Sequence, residues 1–549
     1  MLGTALIAAF LAGGWFLVTA WPLQLIAAIR QKDSPAHGII IGLLHIWRFI
    51  SDHPLAIGGL TGLFIGDFAT GIKVGALIQL VFFGVFIVGA AVPPRPMVAT
   101  IMAVIFASKL GVEHGAVLGM AVPIAVFSLM LFLSNISIMS FFYERFARQA
   151  AKTGNLKKLE LWHAILQPIN ITLINAIPAF LGVYFGVPLV GKVLNAIPAW
   201  LSGGFGTMQG ILPVAGFALL VYTMNPGPMI LLFAAGYAIG TVTQLTPMAT
   251  ALVVIALVFF YMKTRGGQNS LEPAMVAAGE GVSKIPLSFG DRISLAWRNF
   301  TWYYNASFEV LGGWGFAYQL VPFLRRYKTD EERAEAMTRN IAFWNTNVYA
   351  GGVIPGMVAA MEAQRAENNE AIDGNAIQAL KVATMGPVAG IGDSLYHATL
   401  VPIILAIGTN MVLDGNSFGW FFSVFGLIAL FAASVYYLVG LGYNLGVDAL
   451  NRMRGVVDTV AEGAKYVGLI LVGTMVANLV KVNLGITYTT GEQVINLQEI
   501  LDSIMPGLPA LGLFFLAYWL LRKGVKPIWL IIGLMVIAIL GTHFGVLLS

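Results

Sequence analysis

Long uncharged stretches, separated by short polar connectors, make up most of this chain. The longest of them are Val74–Pro94, Gly115–Tyr143, Ala164–Gly191, Val193–Met262, Gly415–Val447, Ser503–Leu521 and Pro527–Ser549. A helix needs about 20 apolar residues to cross a hydrocarbon layer about 30 Å thick. Several stretches are long enough, so the pattern predicts an all-α polytopic membrane protein.

The apolar pattern is interrupted most densely between Phe343 and Pro402. Glycine and proline break it at Gly351, Gly352, Pro355, Gly356, Gly386, Pro387, Gly390 and Gly392. Polar side chains stand among these breaks, at Asn345, Thr346, Glu362, Gln364, Asp393 and His397. Broken backbone and polar groups are tolerated at membrane depth only inside protein or along a wet cavity. The segment therefore predicts re-entrant or broken helices around a binding site.

A linker divides the chain into two membrane halves. Thr264–Pro273 reads TRGGQNSLEP, a run of turn-forming and polar residues. We expect an N-terminal half at residues 1–263, a linker at 264–280, and a C-terminal half at 281–549 that begins with amphipathic helices at about 281–340. Ser288–Trp302 has an apolar face opposite Asp291 and Arg298, which favours a helix on the membrane surface.

The triplet Ile-Gly-Asp occurs once in each half, ending at Asp67 and at Asp393. The two triplets are either corresponding elements of inverted, pseudo-symmetric halves or a coincidence of common residues. Upstream of Asp67, Gly58, Gly62 and Gly66 share one helical face, a spacing that lets two helices approach closely. Asp67 either pairs with Lys73 or contacts substrate.

Each other candidate in the membrane has a structural and a functional interpretation. Gln79 lies inside an uncharged run, where an amide either joins helices or binds a sugar hydroxyl. Asn345 and Thr346 either cap a helix or contact the substrate. Glu362 and Gln364 stand where the apolar run ends, which favours a solvated helix end. His397 follows Asp393 by one helical turn, so the two form a ligand pair unless His397 is simply a satisfied buried histidine.

Composition narrows the chemistry further. Of 549 residues 58% are hydrophobic and 10% charged, and the net charge of +5 fits a lysine and arginine bias on the cytoplasmic side, not nucleic-acid binding. Zero cysteines exclude disulfides and thiolate metal sites. The sequence contains no phosphate loop and no HExxH motif, and we expect no cofactor, no metal and no catalytic set. Basic residues place Arg145–Lys158, Arg325–Arg339 and the Arg522–Lys526 turn in the cytoplasm, and so the C-terminus outside.

Both halves resemble subunits of one known family. The C-terminal half is similar to the IID subunit of mannose-type (mannose/fructose/sorbose) phosphotransferase systems in FWNTNVYAGGVIPGMVAAMEAQRA, MGPVAGIGDSLYHATLVP and IMPGLPALGLFFLAYWLLRKGVKPIW. The N-terminal half is similar to the IIC subunit from about His53 to Lys263, in HPLAIGGLTGLFIGDFATGIKVGALIQL, VGAAVPP and AAKTGNLKKLELWH. The resemblance identifies the chain as a natural or engineered fusion of IIC and IID, with a first 52 residues longer than the family's usual lead-in.

The resemblance implies a permease of the bacterial cytoplasmic (inner) membrane that moves a hexose or amino sugar inward by an elevator-like movement. It further implies a homotrimer and separate IIA and IIB phosphocarrier proteins that supply the phosphoryl group, so the chain is the permease part of a transferase. The sugar contacts we expect are Gln79, Asn345, Thr346, Asp393, Asp67, Glu362 and His397.

The sequence departs from the family at two positions. The family usually has glutamate where this chain has Gln79 and aspartate where it has Arg95, which leaves the sugar and its coupling open. An ion- or proton-coupled sugar transporter and a membrane receptor without transport are the alternatives.

Overall fold

The structure, a computed structural model, describes most of the chain. The described residues are 1–15, 19–30, 35–83, 95–112, 114–194, 199–224, 226–243, 249–250, 253–254, 256–258, 260–261, 285–302, 305–307, 309–368, 372–445, 448–490 and 493–548. The linker predicted at 264–280 and the VGAAVPP motif lie outside them.

Helices account for nearly all regular structure in this part of the chain, as predicted. In the N-terminal half (residues 1–263) the α-helices are Leu2–Ala9, Ala20–Arg30, Pro35–Ile50, Pro54–Ile65, Phe68–Val81, Pro96–Leu110, His114–Phe142, Arg148–Lys152, Leu156–Ile171, Ile177–Leu194, Ala199–Ile211, Pro213–Met224 and Ile230–Thr243. In the C-terminal half (281–549) they are Phe289–Asn299, Gly313–Leu324, Asp330–Asn340, Val353–Glu367, Gly374–Gly392, Val401–Leu413, Phe418–Leu445, Asp448–Leu479, Leu497–Ile504, Leu508–Arg522 and Pro527–His543.

Wider and tighter helical turns and four short strands complete the described structure. The π-helical turns are Phe10–Gly14, Tyr143–Ala147, Thr172–Ala176 and Asp393–Leu400, and the 3-10 turns are Gly227–Met229 and Ala350–Gly352. The strands pair antiparallel as Asn483–Leu484 with Leu547–Leu548 and Thr487–Thr490 with Gln493–Asn496.

The helices confirm a polytopic membrane protein. Gly115–Lys152, Gly203–Tyr222, Gly374–Leu413 and Phe418–Asn444 are long and apolar enough to cross a bilayer. Leu497–Ile504 and Leu508–Arg522 form a pair bent by 83° at a short break. Shorter apolar helices, among them Pro54–Ile65 and Phe68–Val81, accompany them. The bent pair fits broken helices in general, but within Phe343–Pro402 the helix runs unbroken through Gly386, Pro387, Gly390 and Gly392, where breaks were predicted.

The short helices Pro54–Ile65 and Phe68–Val81 form a tight antiparallel pair, here called the glycine hairpin. A Cβ added to Gly62 would lie 2.6 Å from the Asp67 carbonyl oxygen and 2.7 Å from the Gly71 Cα. Gly58 faces Gly75 in the same way. The predicted close approach at Gly58 and Gly62 therefore exists.

Gly66 does not share that role. Its φ of +81° lies in the left-handed region, and it ends the helix Pro54–Ile65 as its C-cap. Nothing lies within 4 Å of a Cβ built on it. The prediction that Gly66 belongs to the packing face is wrong, because at the end of a helix its backbone freedom matters more than its small size.

We expect Gly62→Ala to lower the free energy of unfolding by about 1–3 kcal/mol, because the added methyl group must push two backbones apart. Gly533→Ala is the matched control, since a Cβ there meets nothing within 4 Å. Titration with denaturing detergent measures both. Equal stability of the two variants would contradict the close approach.

The amphipathic segment after the linker packs partly against protein. The helix Phe289–Asn299 buries Trp297 against Pro35–Ile50, where Gly38 and Gly42 leave room for the indole. On its expected polar face Arg298 is fully enclosed, whereas Asp291 and the nearby Phe289 are partly exposed. Its position at the membrane surface stays a prediction.

Buried polar contacts join the two halves at this helix. Glu160 accepts a hydrogen bond from Arg298 at 3.1 Å and another from Arg325 at 2.7 Å, and the Glu160 and Arg298 side chains are fully buried. The Arg298 guanidinium also lies over the Tyr318 ring and donates to the Tyr318 carbonyl. One carboxylate thus holds two arginines of the other half.

Elsewhere helices of the two halves pack directly against each other. Ile230–Thr243 packs along Asp448–Leu479, and Ala199–Ile211 packs along Pro527–His543. The indole of Trp420 donates to the Ala56 carbonyl at 3.0 Å and fills the space over Gly59. The glycine hairpin therefore rests on the C-terminal half.

Candidate functional site

Residues 341–349, here called the site loop, connect the helix Asp330–Asn340 to the turn Ala350–Gly352. Asn347 is buried near its end, and its side-chain oxygen accepts from the backbone N–H groups of Tyr349 and Ala350 at 2.9 and 3.0 Å. Those bonds fix the orientation of the amide. Its NH₂ group therefore points the other way and donates to Asp393 at 2.9 Å.

Asp393 and His397 lie one turn apart on a π-helical turn that continues the helix Gly374–Gly392. The His397 Nδ1 atom is 3.2 Å from Asp393 Oδ1 and 3.2 Å from the Asn347 amide nitrogen. Both side chains are largely buried. A protonated His397 forms an ion pair with Asp393, whereas a neutral one either donates to the carboxylate or accepts from Asn347. The predicted Asp393–His397 pair is present.

Aromatic rings surround this polar group on one side. The Tyr349 ring stacks on Phe431 with centroids 4.2 Å apart and meets His397 edge-on at 5.2 Å. Tyr396 lies 5.2 Å from the same ring. The site thus combines flat apolar faces with an amide, a carboxylate and an imidazole.

The N-terminal half reaches the same place at the start of the glycine hairpin. His53 precedes the helix Pro54–Ile65 and is close enough to Asp52 and His397 to interact with both electrostatically. Asp52 acts in the same way on Tyr349 and pairs with Arg95 at 3.3 Å. Titratable groups of both halves therefore interact electrostatically across the boundary between the halves.

Gln79 lies at this end of the hairpin. It is almost fully buried, and its oxygen accepts from the backbone N–H of Leu55 at 3.3 Å. That N–H is one of the first-turn donors that a helix cannot satisfy internally. The contact supports the interhelical role of the amide and places it beside Leu55, which is two residues along the chain from His53.

We expect Gln79→Leu to destabilise the protein by about 1–3 kcal/mol, because the buried Leu55 N–H loses its acceptor. Gln79→Glu retains an acceptor and serves as the matched control. Unfolding in denaturing detergent measures both variants. A Gln79→Leu protein as stable as the wild type would show that the bond contributes nothing.

Asn345 and Thr346 stand on the site loop just before Asn347. The Thr346 hydroxyl is buried and donates to the Met385 carbonyl at 3.2 Å, and the Asn345 backbone N–H faces the Met385 sulfur at 3.4 Å. The helix-cap role expected for this pair belongs to Asn347, whose oxygen accepts the two backbone bonds. Both residues border the site through the loop.

Asp67 is not brought to this cluster. It begins the helix Phe68–Val81 and accepts from the Thr70 N–H at 3.2 Å, with Ser108 and Lys109 beside it. The 12-residue helix Pro54–Ile65 separates it from His53 by about 18 Å at 1.5 Å per residue. The ion pairs of the described residues do not include the Asp67–Lys73 pair, so that alternative is wrong and the carboxylate is a helix cap.

The two Ile-Gly-Asp triplets also differ in backbone conformation. Gly66 breaks a helix in the left-handed region, whereas Asp393 continues one, at φ −65° and ψ −40°. The pseudo-symmetry of the halves stays a prediction.

Glu362 is not at a solvated helix end. It is fully buried and accepts from Arg339 through two bonds of 2.8 and 2.7 Å, from Tyr327 at 2.6 Å, and from Asn340. Burial first, and then the Glu362 carboxylate, raise the pKa of Tyr327, so its hydroxyl stays a donor. Four donors occupy the Glu362 oxygens, which is why we leave it out of the sugar site.

Sequence reasoning missed Asn347, Tyr349, Asp52 and His53. The motif FWNTNVY contains two asparagines. Only the second, Asn347, is followed directly by a turn whose backbone N–H groups its side chain can accept from. Asp52 and His53 stand between two apolar helices, a position that pattern alone assigns to a connector. Within the described residues no cluster of histidines and acids suits a metal ion.

The arrangement suits a small polyhydroxylated ligand. Each hydroxyl group both donates and accepts a hydrogen bond, and carboxylate, amide and imidazole groups cover both needs. Small-molecule sites are mostly apolar with a few placed polar groups, which describes the Tyr349 surroundings. We find here no activated nucleophile beside a base with an orienting partner.

Sequence comparison identifies relatives of both halves. Residues 7–260 match the profile described as "EII-Sor: PTS system sorbose-specific iic component", and residues 286–547 match "EIID-AGA: PTS system mannose/fructose/sorbose family IID component". The first match begins at residue 7, so most of the first 52 residues belong to the family's pattern and are not a foreign extension, contrary to our expectation.

Three relatives illustrate the similarity. The mannose-specific EIID component of Escherichia coli (strain K12) is 39% identical over 252 residues, which are 44% of this chain and 88% of that one. The sorbose-specific EIID component of Klebsiella pneumoniae is 37% identical over 268 residues, 47% of this chain and 97% of that one. The N-acetylgalactosamine permease IIC component 1 of Escherichia coli (strain K12) is 32% identical over 235 residues, which are 41% of this chain and 84% of that one.

Proposed function

The chain belongs to the mannose/fructose/sorbose family of phosphotransferase-system permeases, and we propose that it binds its sugar between its two halves, at the cluster of Asn347, Tyr349, Asp393, His397 and His53. The observation that carries this proposal is the hydrogen-bonded group of Asn347, Asp393 and His397 beside the Tyr349 ring, on which His53 and Asp52 of the N-terminal half act electrostatically. It brings ionisable groups from the IIC-like and IID-like halves together beside buried aromatic rings.

We include Asn345, Thr346 and Gln79 as the borders of this site. The first two precede Asn347 on the site loop, and Gln79 fixes the helix end that presents His53. Asp67 and Glu362 are left out, because one caps a distant helix and the other is saturated by four donors.

The sugar is a hexose or an amino sugar. The relatives are named for mannose, sorbose and N-acetylgalactosamine, which share a ring with several hydroxyl groups. Arg95 engages Asp52 in an ion pair at the edge of the site. We infer that this pair, absent where the family has aspartate at position 95, changes which hydroxyl groups Asp52 can accept from.

Membership in the family implies IIA and IIB partner proteins, with IIB supplying the phosphoryl group. We propose that IIB approaches from the side of Arg145–Lys158, which the positive charge assigns to the cytoplasm together with the linker. A cavity of about 380 Å³ between the halves, lined by Tyr143, Arg148, Lys152 and Glu309, opens on that side.

Three further features of the assembly are proposals. The gap between the two matched stretches, 7–260 and 286–547, supports the division into halves joined at 264–280. The basic turn at Arg522–Lys526 supports a periplasmic or extracellular C-terminus. Inward transport by an elevator-like movement of a homotrimer follows from the family resemblance.

Uptake by proteoliposomes tests the proposed function. Radiolabelled mannose, fructose, sorbose and N-acetylgalactosamine are offered outside, with or without phosphorylated IIB inside. We expect one or more of them to accumulate as sugar phosphate only when phosphorylated IIB is present. Uptake that a protonophore abolishes and that is indifferent to IIB would instead make the protein a proton-coupled transporter.

A further inference from the structure

One helix holds the site loop along its whole length. On the helix Gly374–Gly392, Lys381 contacts residues 340 and 342 of the chain leading into the site loop, and Met385, one turn on, contacts residues 345 and 346. At the end of the helix a Cβ on Gly392 would lie 2.3 Å from that of Asn347. Successive turns of the helix thus meet successive residues of the loop.

Lys381 is the buried amine in this series. Its side chain is 1% exposed, and its Nζ atom donates to the carbonyls of Asn340 and Ala342, each at 2.9 Å. The Phe316 and Trp344 rings lie 4.4 and 5.8 Å from the same nitrogen. The ion pairs found in the described part of the chain give Lys381 no carboxylate.

The carbonyls explain why a hydrogen-bond donor is needed there. Asn340 ends the helix Asp330–Asn340, and the last carbonyls of a helix lack internal partners and carry its negative dipole end. The same backbone also packs closely on Gly313, where an added Cβ would meet the Ile341 and Ala342 carbonyl oxygens at 2.3 and 2.5 Å. Lys381 and Gly313 therefore both contact the start of the site loop.

We propose that Lys381 is a positioning residue for sugar binding. Its two hydrogen bonds set where the site loop begins, and the contacts of Met385 and Gly392 then place Asn347 against Asp393. The proposal rests on the proposed sugar site, because it concerns the loop that borders it. Lys381 itself touches backbone and rings and is not a sugar contact.

Equilibrium binding to the full chain in nanodiscs tests the proposal, with radiolabelled mannose, fructose, sorbose and N-acetylgalactosamine as probes. We expect Lys381→Met to weaken binding about tenfold, because it removes both donors while keeping the length of the side chain. Lys381→Arg, which retains donors and charge, should restore most of the affinity. Lys526→Met, on an exposed lysine outside both proposed sites, is the matched control and should bind like the wild type.

Hydrogen exchange of residues 341–349 in the same samples separates positioning from folding. Faster exchange in this segment, in a Lys381→Met protein that keeps its size on gel filtration, is the expected result. Unchanged affinity and exchange in Lys381→Met would overturn the proposal. If that variant does not fold, Gly392→Ala takes its place, and wild-type affinity in Gly392→Ala would overturn it equally. A wild type that binds none of the sugars contradicts the proposed function instead.

Discussion

Glu160→Ala should destabilise the protein by about 3–5 kcal/mol, the cost of leaving a buried charge without its partner. The variant removes the carboxylate that Arg298 and Arg325 share, and Arg298 is fully buried. Because Glu160 lies in one half and both arginines in the other, the loss falls on the boundary between the halves. The free energy of unfolding in denaturing detergent measures it.

Glu144→Ala is the control for this variant. Glu144 pairs with Arg148 one helical turn away, and both side chains are exposed. Water screens such an exposed pair, so it contributes little to stability, and we expect almost no change. If the two variants lost similar stability, the buried triad would not be what joins the halves.

Asn347→Ala should weaken sugar binding and uptake by about a hundredfold, because the charge-assisted bond to Asp393 and the backbone bonds that hold Tyr349 are lost together. The substitution removes the donor to Asp393 and the acceptor for the Tyr349 and Ala350 N–H groups. Asp393 and Tyr349 then lose their mutual placement. Sugar binding to the folded variant is the measurement.

Asn416→Ala is the matched control for the loss of a cap. Asn416 accepts from the Phe418 N–H at the exposed start of a helix away from the cluster. The Asn416→Ala variant should lose about 1 kcal/mol of stability and should bind sugar with unchanged affinity. Asn345→Ala in the same series tests whether the first asparagine of the motif also contacts sugar. Wild-type binding by Asn347→Ala would remove the amide from the site.

The sequence predicted the stretch that contains the C-terminal part of the candidate site, but not Asp52 and His53 of the N-terminal half, and it did not assign the roles. Breaks in an apolar run mark where backbone and polar groups need partners. Phe343–Pro402 could therefore be recognised as the stretch that contains a binding site. Which asparagine accepts the backbone bonds depends on the turn after Asn347, and hydropathy does not report that. Asp393 and His397 were found because their spacing is one helical turn, a local property.

Residues whose partners come from distant segments could not be assigned in this way. Glu362 follows an apolar run and looks like a solvated end, but Arg339 and Tyr327 enclose it. The helix Phe289–Asn299 has the pattern of a surface helix, since amphipathic spacing does not say whether lipid or protein covers a face. Arg298 of this helix is buried because it pairs with Glu160, a residue more than a hundred positions earlier in the chain.

Whether the sugar sits where the two halves meet is decided most directly by a cryo-EM map of the full chain with the transported sugar bound. We predict density for the sugar within hydrogen-bond distance of Asp393 or His397, which Asn347 positions, and, on its other side, of Asp52 or His53. Density enclosed by residues of one half alone, with the Asn347–Asp393–His397 cluster empty, would contradict the shared site.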